Sequence, residues 1–294
     1  MKNFSNKLSD IARSTDFYLK DFFLKKSNNS KLIEPMKYGV FSGGKRFRSA
    51  VVVNTGKIFK INYKKLIIIG AAVECLHSYS LMHDDLPAMD NDDLRRGRLS
   101  THKKFNEFTA ILAGNSLLTL AFEILSSNDL KVPEEIKIEL IRVLSNNSGH
   151  SGLAGGQYSD LTFQNKKISE NNIINMQKKK TGELFGFCCE SVAIINEENF
   201  KKRKQWREIG LLIGLLFQTV DDLIDYKGDS KIVGKPTKSD KKKGKATLVN
   251  LLGYSKTLNF AKNLKKKLDK KIKKYGIKAS DLLESIEFIL TREF

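Results

Sequence analysis

The sequence predicts an all-α fold, a bundle of helices with no substantial sheet. Apolar residues recur at spacings of three and four through segments of roughly 15 to 25 residues, the period of amphipathic helices. No alternating pattern typical of half-buried strands competes with this period. We expect helices over residues 4–26, 45–59, 64–86, 103–125, 134–149, 169–194, 200–228, 254–274 and 279–292.

A single domain over residues 1–294 is the expected organisation. The chain is 40% hydrophobic, which suits one large domain or two small ones. It has four prolines and no Gly/Ser-rich linker, which favours one domain.

Two segments of the predicted helices, residues 64–86 and 206–223, are apolar nearly all round. A helix of this kind is normally buried, so both should lie at the centre of the bundle. Each carries an acidic cluster at its C-terminal end. The clusters comprise Asp84, Asp85 and Asp90 in the first case, and Asp221, Asp222 and Asp225 in the second.

These carboxylates need compensation by positive charge. Carboxylates beside a hydrophobic core repel one another and lose hydration, so they stay ionised only beside metal ions or buried basic groups. No His or Cys partner lies at ligand spacing, and ligands that are all oxygen indicate Mg²⁺ shared with substrate phosphates. The clusters therefore predict a phosphorylated substrate.

Local geometry groups the carboxylates of each cluster. Pro87 should end or bend the first helix, so that Asp90 returns from the following turn towards Asp84. In the second cluster, spacings of three, four and seven place on one helical stripe Gln218, Asp221, Asp222 and Asp225.

Basic side chains accompany the clusters. GGKRFR at 43–48 places Lys45 and Arg48 three apart at a helix start, behind glycines that let an anion approach the backbone. Arg95 and Arg96 follow the first cluster, and guanidinium forks suit phosphate oxygens. His77 lies two turns before the first cluster on the same face. Taken singly, the basic pairs have an ordinary alternative as surface features, and His77 as a satisfied core histidine.

Four segments in order give a specific likeness: GGKRFR at 43–48, HSYSLMHDDLPAMDNDDLRRG at 77–97, KTGELF at 180–185 and FQTVDDLID at 217–225. With them the chain resembles the trans-isoprenyl diphosphate synthases, most closely the bacterial farnesyl diphosphate synthases, from about residue 30 to its C-terminus. The resemblance implies the all-α terpenoid (isoprenoid) synthase fold. It also implies a homodimer with one active site per subunit.

The chemistry implied by the resemblance is the Mg²⁺-dependent head-to-tail condensation of isopentenyl diphosphate with dimethylallyl or geranyl diphosphate, which gives (2E,6E)-farnesyl diphosphate. Three Mg²⁺ ions, which Mn²⁺ could replace, would bind the aspartate clusters and the allylic diphosphate, most directly at Asp84, Asp90 and Asp221. Ionisation of the allylic C–O bond is followed by attack of the isopentenyl double bond. The released diphosphate would then accept the proton.

The same matching assigns roles to further residues. Isopentenyl diphosphate would bind Lys45, Arg48, His77 and Arg96. The departing diphosphate would be neutralised by Arg95, Lys180 and Lys235, and the cation stabilised by the oxygens of Thr181 and Gln218. Lys245 matches another family lysine. Gln157 and Asp160 either line the pocket or are structural. The ordinary alternatives are solvated lysines, a solvent-facing Gln218 and a Thr181 hydroxyl bonded to its own backbone.

Product length is expected to depend on Tyr79. It lies five residues before Asp84, or roughly 7 to 8 Å below the cluster at about 1.5 Å per residue, so its ring would form a floor. In the family, an aromatic residue here, with the two-residue expansion between Asp84 and Asp90, accompanies C15 products. Ser80 is too small to close the pocket alone. If Tyr79 only packs in the core, a C20 product is the alternative; a C10 product is a further one.

Other functions fit the sequence less well. The net charge of +19 comes mainly from lysines scattered along polar faces, which is more typical of solvated helices than of a nucleic-acid surface. A nucleic-acid-binding protein or a non-catalytic partner subunit would not require six aspartates. A terpene cyclase usually mixes Asn, Ser or Thr with Glu in its second metal motif. Among departures from the family, Ser49 stands where proline is common.

The sequence indicates a cytoplasmic protein. Cys75, Cys188 and Cys189 lack the spacing of a zinc site or a disulfide framework, so they should be packing residues. Acidic residues within the N-terminal helix argue against a targeting peptide. The longest candidate membrane span, residues 210–220, is far short of about 20 apolar residues, so stable membrane insertion is not expected.

Overall fold

A computed structural model confirms the all-α prediction and describes residues 2–26, 30–228 and 244–292. It contains a π-helical turn, Lys178–Gly182, and a 3₁₀ segment, Lys273–Ala279. A short hairpin consists of β1 (Leu94–Arg95) and β2 (Arg98–Leu99). The helices are α1 Lys2–Lys25, α2 Ile33–Val40, α3 Phe47–Ile58, α4 Tyr63–Asp84, α5 Thr101–Lys104, α6 Glu107–Ser126, α7 Glu134–Ser148, α8 Leu153–Thr162, α9 Glu170–Gln177, α10 Glu183–Ile195, α11 Phe200–Lys227, α12 Leu248–Leu252, α13 Tyr254–Ile272 and α14 Ser280–Thr291.

Helices lie wherever the periodicity predicts them, with their ends shifted by a few residues at most. The segment predicted as one helix over residues 169–194, however, is divided by the π-helical turn into α9 and α10. Capping side chains set several of the starts. Asn106 and Asn199 accept the backbone N–H groups of Thr109 and Lys202, at 2.8 and 3.0 Å, which satisfies donors that a helix start leaves unpaired. The short elements α2, α5, α8, α12 and the hairpin were not predicted.

The chain divides into two compact units. The first unit comprises Lys2–Val53 and Ile61–Ile141, and the second comprises Asn54–Lys60 and Arg142–Phe294. The single domain expected over residues 1–294 stays a prediction.

In the first unit, α4 packs against α6, α1 and α2. Every α4 residue from 66 to 76 is buried, which confirms its predicted place in a core. The contact with α6 is close at Gly114, because a Cβ there would lie 2.4 Å from the Nε2 atom of His83.

In the second unit, α11 packs against α10, α13 and α14. Glycines bring the backbones of α10 and α11 into contact. A Cβ at Gly210 would lie 2.2 Å from the carbonyl oxygen of Phe185, and one at Gly214 would lie 2.6 Å from the Cα of Gly182. This close packing places the second half of α11 against the π-helical turn.

By length and composition alone, two described helices could cross a membrane, namely α4 and α6. They correct the expectation that residues 210–220 form the longest such candidate. The most apolar 18-residue segment of α4 is 78% buried in the fold, whereas that of α6 is 44% buried. Core helices pass the same test, so the composition of α4 is explained by its burial.

The cysteines lie in the interior, as expected of packing residues. Cys75, Cys188 and Cys189 are buried thiols that form no disulfide among the described residues. Burial raises the pKa of Cys75 and of Cys189 to about 12, so both stay protonated at neutral pH.

Candidate active site

The first aspartate cluster forms a compact turn at the end of α4. The N–H of Asp90 donates to the carbonyl oxygen of Asp84 at 2.9 Å, and the N–H of Asp92 donates to that of Asp85 at 3.2 Å. Asn91 has a φ of 51°, a left-handed conformation that asparagine tolerates better than most residues. The predicted return of Asp90 towards Asp84 is therefore confirmed.

The hairpin after this turn brings Arg95 back onto Asp85. Arg96 and Gly97 have φ values of 55° and 75°, the two positive values of a type I′ hairpin loop. The Nε atom of Arg95 donates to both carboxylate oxygens of Asp85, at 3.0 and 3.1 Å, and its Nη2 atom also donates to Asp85. Burial opposes the charge on Arg95, but the hydrogen bonds and charge of Asp85, together with the charges of Asp84 and Asp92, more than offset this, so the pKa of Arg95 is raised. Asp85 is thus bound by a protein cation.

Arginines of the first unit surround His77. Its pKa lies well below the usual value, mainly because of burial and then because of the charges of Arg48, Arg96, Arg46 and Arg95. The imidazole is therefore neutral at physiological pH and can offer a hydrogen bond without adding charge. Three of the four residues expected around isopentenyl diphosphate thus share one electrostatic environment.

Arg96 lies across the glycine loop that precedes α3. Its Nη1 atom donates to the carbonyl oxygen of Gly43. A Cβ at Gly44 would lie 2.5 Å from that Nη1 atom, and the φ of Gly44 is +108°, so only glycine fits there. Lys45, the fourth predicted ligand, follows at once and is exposed, whereas Arg48 is half-buried in the first turn of α3.

Tyr79 lies on α4 before Asp84, where its ring contacts that of His83 edge-on, with centroids 4.7 Å apart. Burial and the charge of Asp84 raise the pKa of Tyr79, so its hydroxyl is neutral. The Oγ atom of Ser80 donates to the carbonyl oxygen of His77 at 2.9 Å, which is a bond within its own helix.

In the second unit, Asp222 is the centre of a buried hydrogen-bond network. Its Oδ2 atom accepts from the Nε2 of Gln177 at 2.6 Å, and its Oδ1 atom accepts from the Nε2 of Gln218 at 2.8 Å. The hydroxyl of Thr181 donates to the Oε1 of Gln218 at 2.8 Å. The predicted pair of Thr181 and Gln218 is therefore in direct contact. Gln177 was missed, although it lies only one turn before KTGELF.

Asp221 faces a different partner. The Nη1 atom of Arg292 lies 2.9 Å from its Oδ1 atom. The same guanidinium lies 4.1 Å from the ring centre of Phe217 and donates to the carbonyl oxygen of that residue at 3.1 Å. Asp225, one turn further along α11, is half-buried. Arg292 was not predicted, because nothing near it in sequence marks it.

An open cleft of about 340 Å³ adjoins this network. In its lining, the Nζ atom of Lys180 donates to the Oδ2 atom of Asp160 at 2.6 Å. Lys180 and Thr181 belong to the π-helical turn, a feature frequent at functional sites. The cleft is lined by Asp160, Met176, Gln177, Lys180, Thr181, Gln218, Asp222, Lys245, Ala246 and Thr247.

The remaining residues predicted for the site differ in where they lie. Asp160, which was expected either to line the pocket or to be structural, lines the cleft, and so does Lys245. Gln157 is buried outside the lining, and its amide has no hydrogen-bond partner among the described residues. Lys235 lies outside the described residues.

The donor set suits magnesium. Among the described residues, no three His, Cys, Asp or Glu side chains form a metal-binding group. Mg²⁺ does not need one, because it usually keeps several waters and binds one or two carboxylates together with substrate phosphates. The backbone bond between Asp84 and Asp90 brings two such carboxylates into one turn.

An all-α fold in which two aspartate clusters end buried helices among basic side chains defines the protein as a prenyltransferase. The family model for polyprenyl synthetases matches residues 29–285. The chain belongs to the polyprenyl synthetase family.

Relatives and solved structures agree with this assignment. The chain is 42% identical to a farnesyl diphosphate synthase of Micrococcus luteus over 224 residues, 76% of each chain. It resembles an FPP/GFPP synthase structure from Zymomonas mobilis with a TM-score of 0.85 and 34% identity, covering 98% of this chain and 99% of that one. A geranyltransferase from Helicobacter pylori, complexed with magnesium and isoprenyl diphosphate, matches with a TM-score of 0.81, 31% identity and 96% coverage of both chains.

Proposed function

We propose that the protein condenses isopentenyl diphosphate with dimethylallyl and then geranyl diphosphate to give (2E,6E)-farnesyl diphosphate. The observation that carries the proposal is the turn joining Asp84 to Asp90, which presents two carboxylates beside a cluster of arginines. The relative from Micrococcus luteus, a farnesyl diphosphate synthase, supports the product.

Asp84, Asp90, Asp221 and Asp225 would hold magnesium, three ions in all, for which Mn²⁺ could substitute. Bound there, the metal would supply Lewis acidity for departure of the allylic diphosphate. Asp85 and Asp222 have a different role in this proposal. Both carboxylates are almost fully buried, unlike that of Asp221, and they bind protein donors there, so they orient Arg95 and Gln218.

Each of the two diphosphates is bound by its own set of basic side chains. Lys45, Arg48 and Arg96 bind isopentenyl diphosphate, and neutral His77 adds a hydrogen bond. Arg95 and Lys180 neutralise the departing allylic diphosphate, with Lys235 and Lys245 as further cations.

The oxygens of Thr181 and Gln218 stabilise the allylic cation. Their mutual hydrogen bond, with Gln218 held in turn by Asp222, fixes them in advance, so little reorganisation is needed when charge develops. The proton lost from the condensation product goes to the released diphosphate. This agrees with the lowered pKa of His77, which leaves that residue a poor base.

A cytoplasmic location is proposed because the described cysteines form no disulfide. A homodimer is proposed on the evidence of α6. Phe108, Ile111 and Leu112 on this helix are exposed and lie on one face at spacings of three and four. A second copy of the chain would cover this apolar stripe. Analytical ultracentrifugation should show a dimer that Ile111→Lys dissociates, and a monomeric wild type would exclude the assembly.

The test is incubation with labelled isopentenyl diphosphate and either dimethylallyl or geranyl diphosphate, followed by chain-length analysis. We expect Mg²⁺-dependent C15 product, lost on addition of EDTA. Asp84→Ala should abolish turnover, whereas the control Asp93→Ala, which removes an exposed carboxylate of the same loop, should retain it. A wild-type rate for Asp84→Ala would refute the metal assignment, and a dominant C20 product would refute the product assignment.

A further inference from the structure

Arg46 is the middle cation of the segment Lys45-Arg46-Phe47-Arg48, yet its side chain points into the core. Only 3% of that side chain is exposed. Its φ of 47° is left-handed, which is unfavourable for a side chain of this size unless the surroundings enforce it. The resemblance to known enzymes drew attention to Lys45 and Arg48 and assigned no role to the residue between them.

Three elements of the first unit hold the Arg46 guanidinium. Its Nη2 atom donates to the carbonyl oxygen of Val40 at 2.6 Å, at the end of α2. Its Nε atom donates to the Oδ1 of Asp16 on α1 at 2.8 Å. Its Nη1 atom lies 3.8 Å from the Oε2 of Glu74 on α4. The planar guanidinium of arginine carries several N–H donors and can bind acceptors on three elements at once. The ammonium group of a lysine could not reach all three.

The same carboxylate also holds the start of α3. The Oε1 atom of buried Glu74 accepts the backbone N–H of Ser49 at 3.2 Å. The hydroxyl of Ser49 lies 2.7 Å from that of Thr15 on α1. A Cβ at Gly70 would lie 2.2 Å from the Ser49 hydroxyl oxygen, so α4 approaches this turn closely. The backbone between Lys45 and Ser49 is therefore fixed from several sides.

We propose that Arg46 is a positioning residue for the isopentenyl diphosphate pocket. Bound to Asp16, Val40 and Glu74, it holds the left-handed turn at the start of α3 and so sets where Lys45 and Arg48 stand. It does not itself contact the diphosphate. The inference rests on the proposed function, which places isopentenyl diphosphate against Lys45 and Arg48.

Two other roles for Arg46 make different predictions. A merely structural ion pair would affect stability, with no selective effect on one substrate. A direct contact with the diphosphate would act independently of Lys45, so the effects of the two substitutions would multiply. A positioning residue acts through Lys45, so its effect should shrink once Lys45 has been replaced.

The variants follow from these contacts. Arg46→Lys keeps the charge but loses the fork. Asp16→Asn removes one anchor whose side chain is 34% exposed, so this variant should fold even if Arg46→Lys does not. Asp10→Asn, an exposed substitution on the same helix, is the matched control. For each variant, the KM for isopentenyl diphosphate, the KM for geranyl diphosphate, kcat and Tm are measured.

We expect the KM for isopentenyl diphosphate to rise about fivefold or more in Arg46→Lys and Asp16→Asn, about the effect of losing one hydrogen bond. The KM for geranyl diphosphate should change less than about twofold, and Asp10→Asn should match the wild type. In the Lys45→Gln background, Arg46→Lys should add less than it does alone.

Equal changes in both KM values, or a lower Tm with neither KM changed, would overturn the inference, as would multiplicative effects in the double variant. These outcomes differ from a failure of the proposed function. That failure would appear in the wild type as absent condensation, whereas the inference fails only in variants of an active enzyme.

Discussion

Asp222→Asn separates two roles for the second aspartate cluster. Asp222 is 3% exposed, and both of its oxygens accept hydrogen bonds from amides, those of Gln177 and Gln218. If the residue positions Gln218, an amide should largely replace it. If it binds magnesium, the loss of a carboxylate should weaken metal binding directly.

The magnitude follows from the network. The Oε1 atom of Gln218 accepts from Thr181, which holds that amide in orientation, but the buried Oε1 of Gln177 has no partner among the described side chains. Gln177 can therefore rotate its amide and accept from the new NH₂ group. Two charge-assisted bonds then become neutral ones, at a cost of about 1 kcal/mol each. At about 2 °C per kcal/mol for a large domain, Tm should fall by roughly 4 °C.

Asp222→Ala should be much more severe, because it leaves two buried amide donors unpaired, at about 1 to 3 kcal/mol each. The assays are thermal unfolding and the Mg²⁺ concentration that gives half-maximal turnover. We expect that concentration to change less than about threefold in Asp222→Asn. A tenfold rise without a fall in Tm would refute the positioning role and make Asp222 a metal ligand.

Two further predictions concern α4. Tyr79→Ala should keep turnover but shift the product from C15 towards C20. Tyr63→Ala, near the exposed start of the same helix, should leave product length unchanged. If chromatography shows an unchanged product for Tyr79→Ala, Tyr79 does not form the floor of the product pocket. The pKa of His77 is lowered by burial and by arginines, so the unfolded chain binds its proton first and stability is lost as pH falls below about 6.5. His77→Asn should flatten this loss in denaturant titrations between pH 7 and 5.5, and exposed His150→Asn should not; equal curves for His77→Asn and wild type would contradict the shift.

Sequence periodicity was sufficient for the long helices and insufficient for the short elements. The segment that forms α4 is apolar nearly all round, which predicted a buried helix. In the structure, eleven consecutive residues of α4, 66 to 76, are buried. Helix α2 spans only eight residues, about two turns, which is too few to establish a period. The hairpin depends on positive φ values at Arg96 and Gly97, and arginine gives no sign of such a conformation.

Many residues of the candidate site could be predicted because they belong to contiguous sequence motifs. The residues that orient their side chains could not be predicted. Arg292 reaches Asp221 from the last described residues of the chain, and Glu74 reaches Arg46 and Ser49 from another helix. Such pairings depend on tertiary packing, and each of these side chains alone resembles many other charged residues of the sequence.

Adjacent aspartates in the two clusters have different surroundings for a geometric reason. Successive residues of an α-helix point about 100° apart, so two neighbouring carboxylates lie at opposite edges of a helical stripe and can have different surroundings. At both helix ends the second aspartate turns inward: Asp85, 2% exposed, binds Arg95, and Asp222 binds Gln177 and Gln218. The first aspartate of each pair, Asp84 or Asp221, stays half-exposed. An Asp-Asp pair can thus supply one carboxylate for metal and one that fixes a neighbouring polar side chain, so substitution of the inner residue should be read first as loss of orientation.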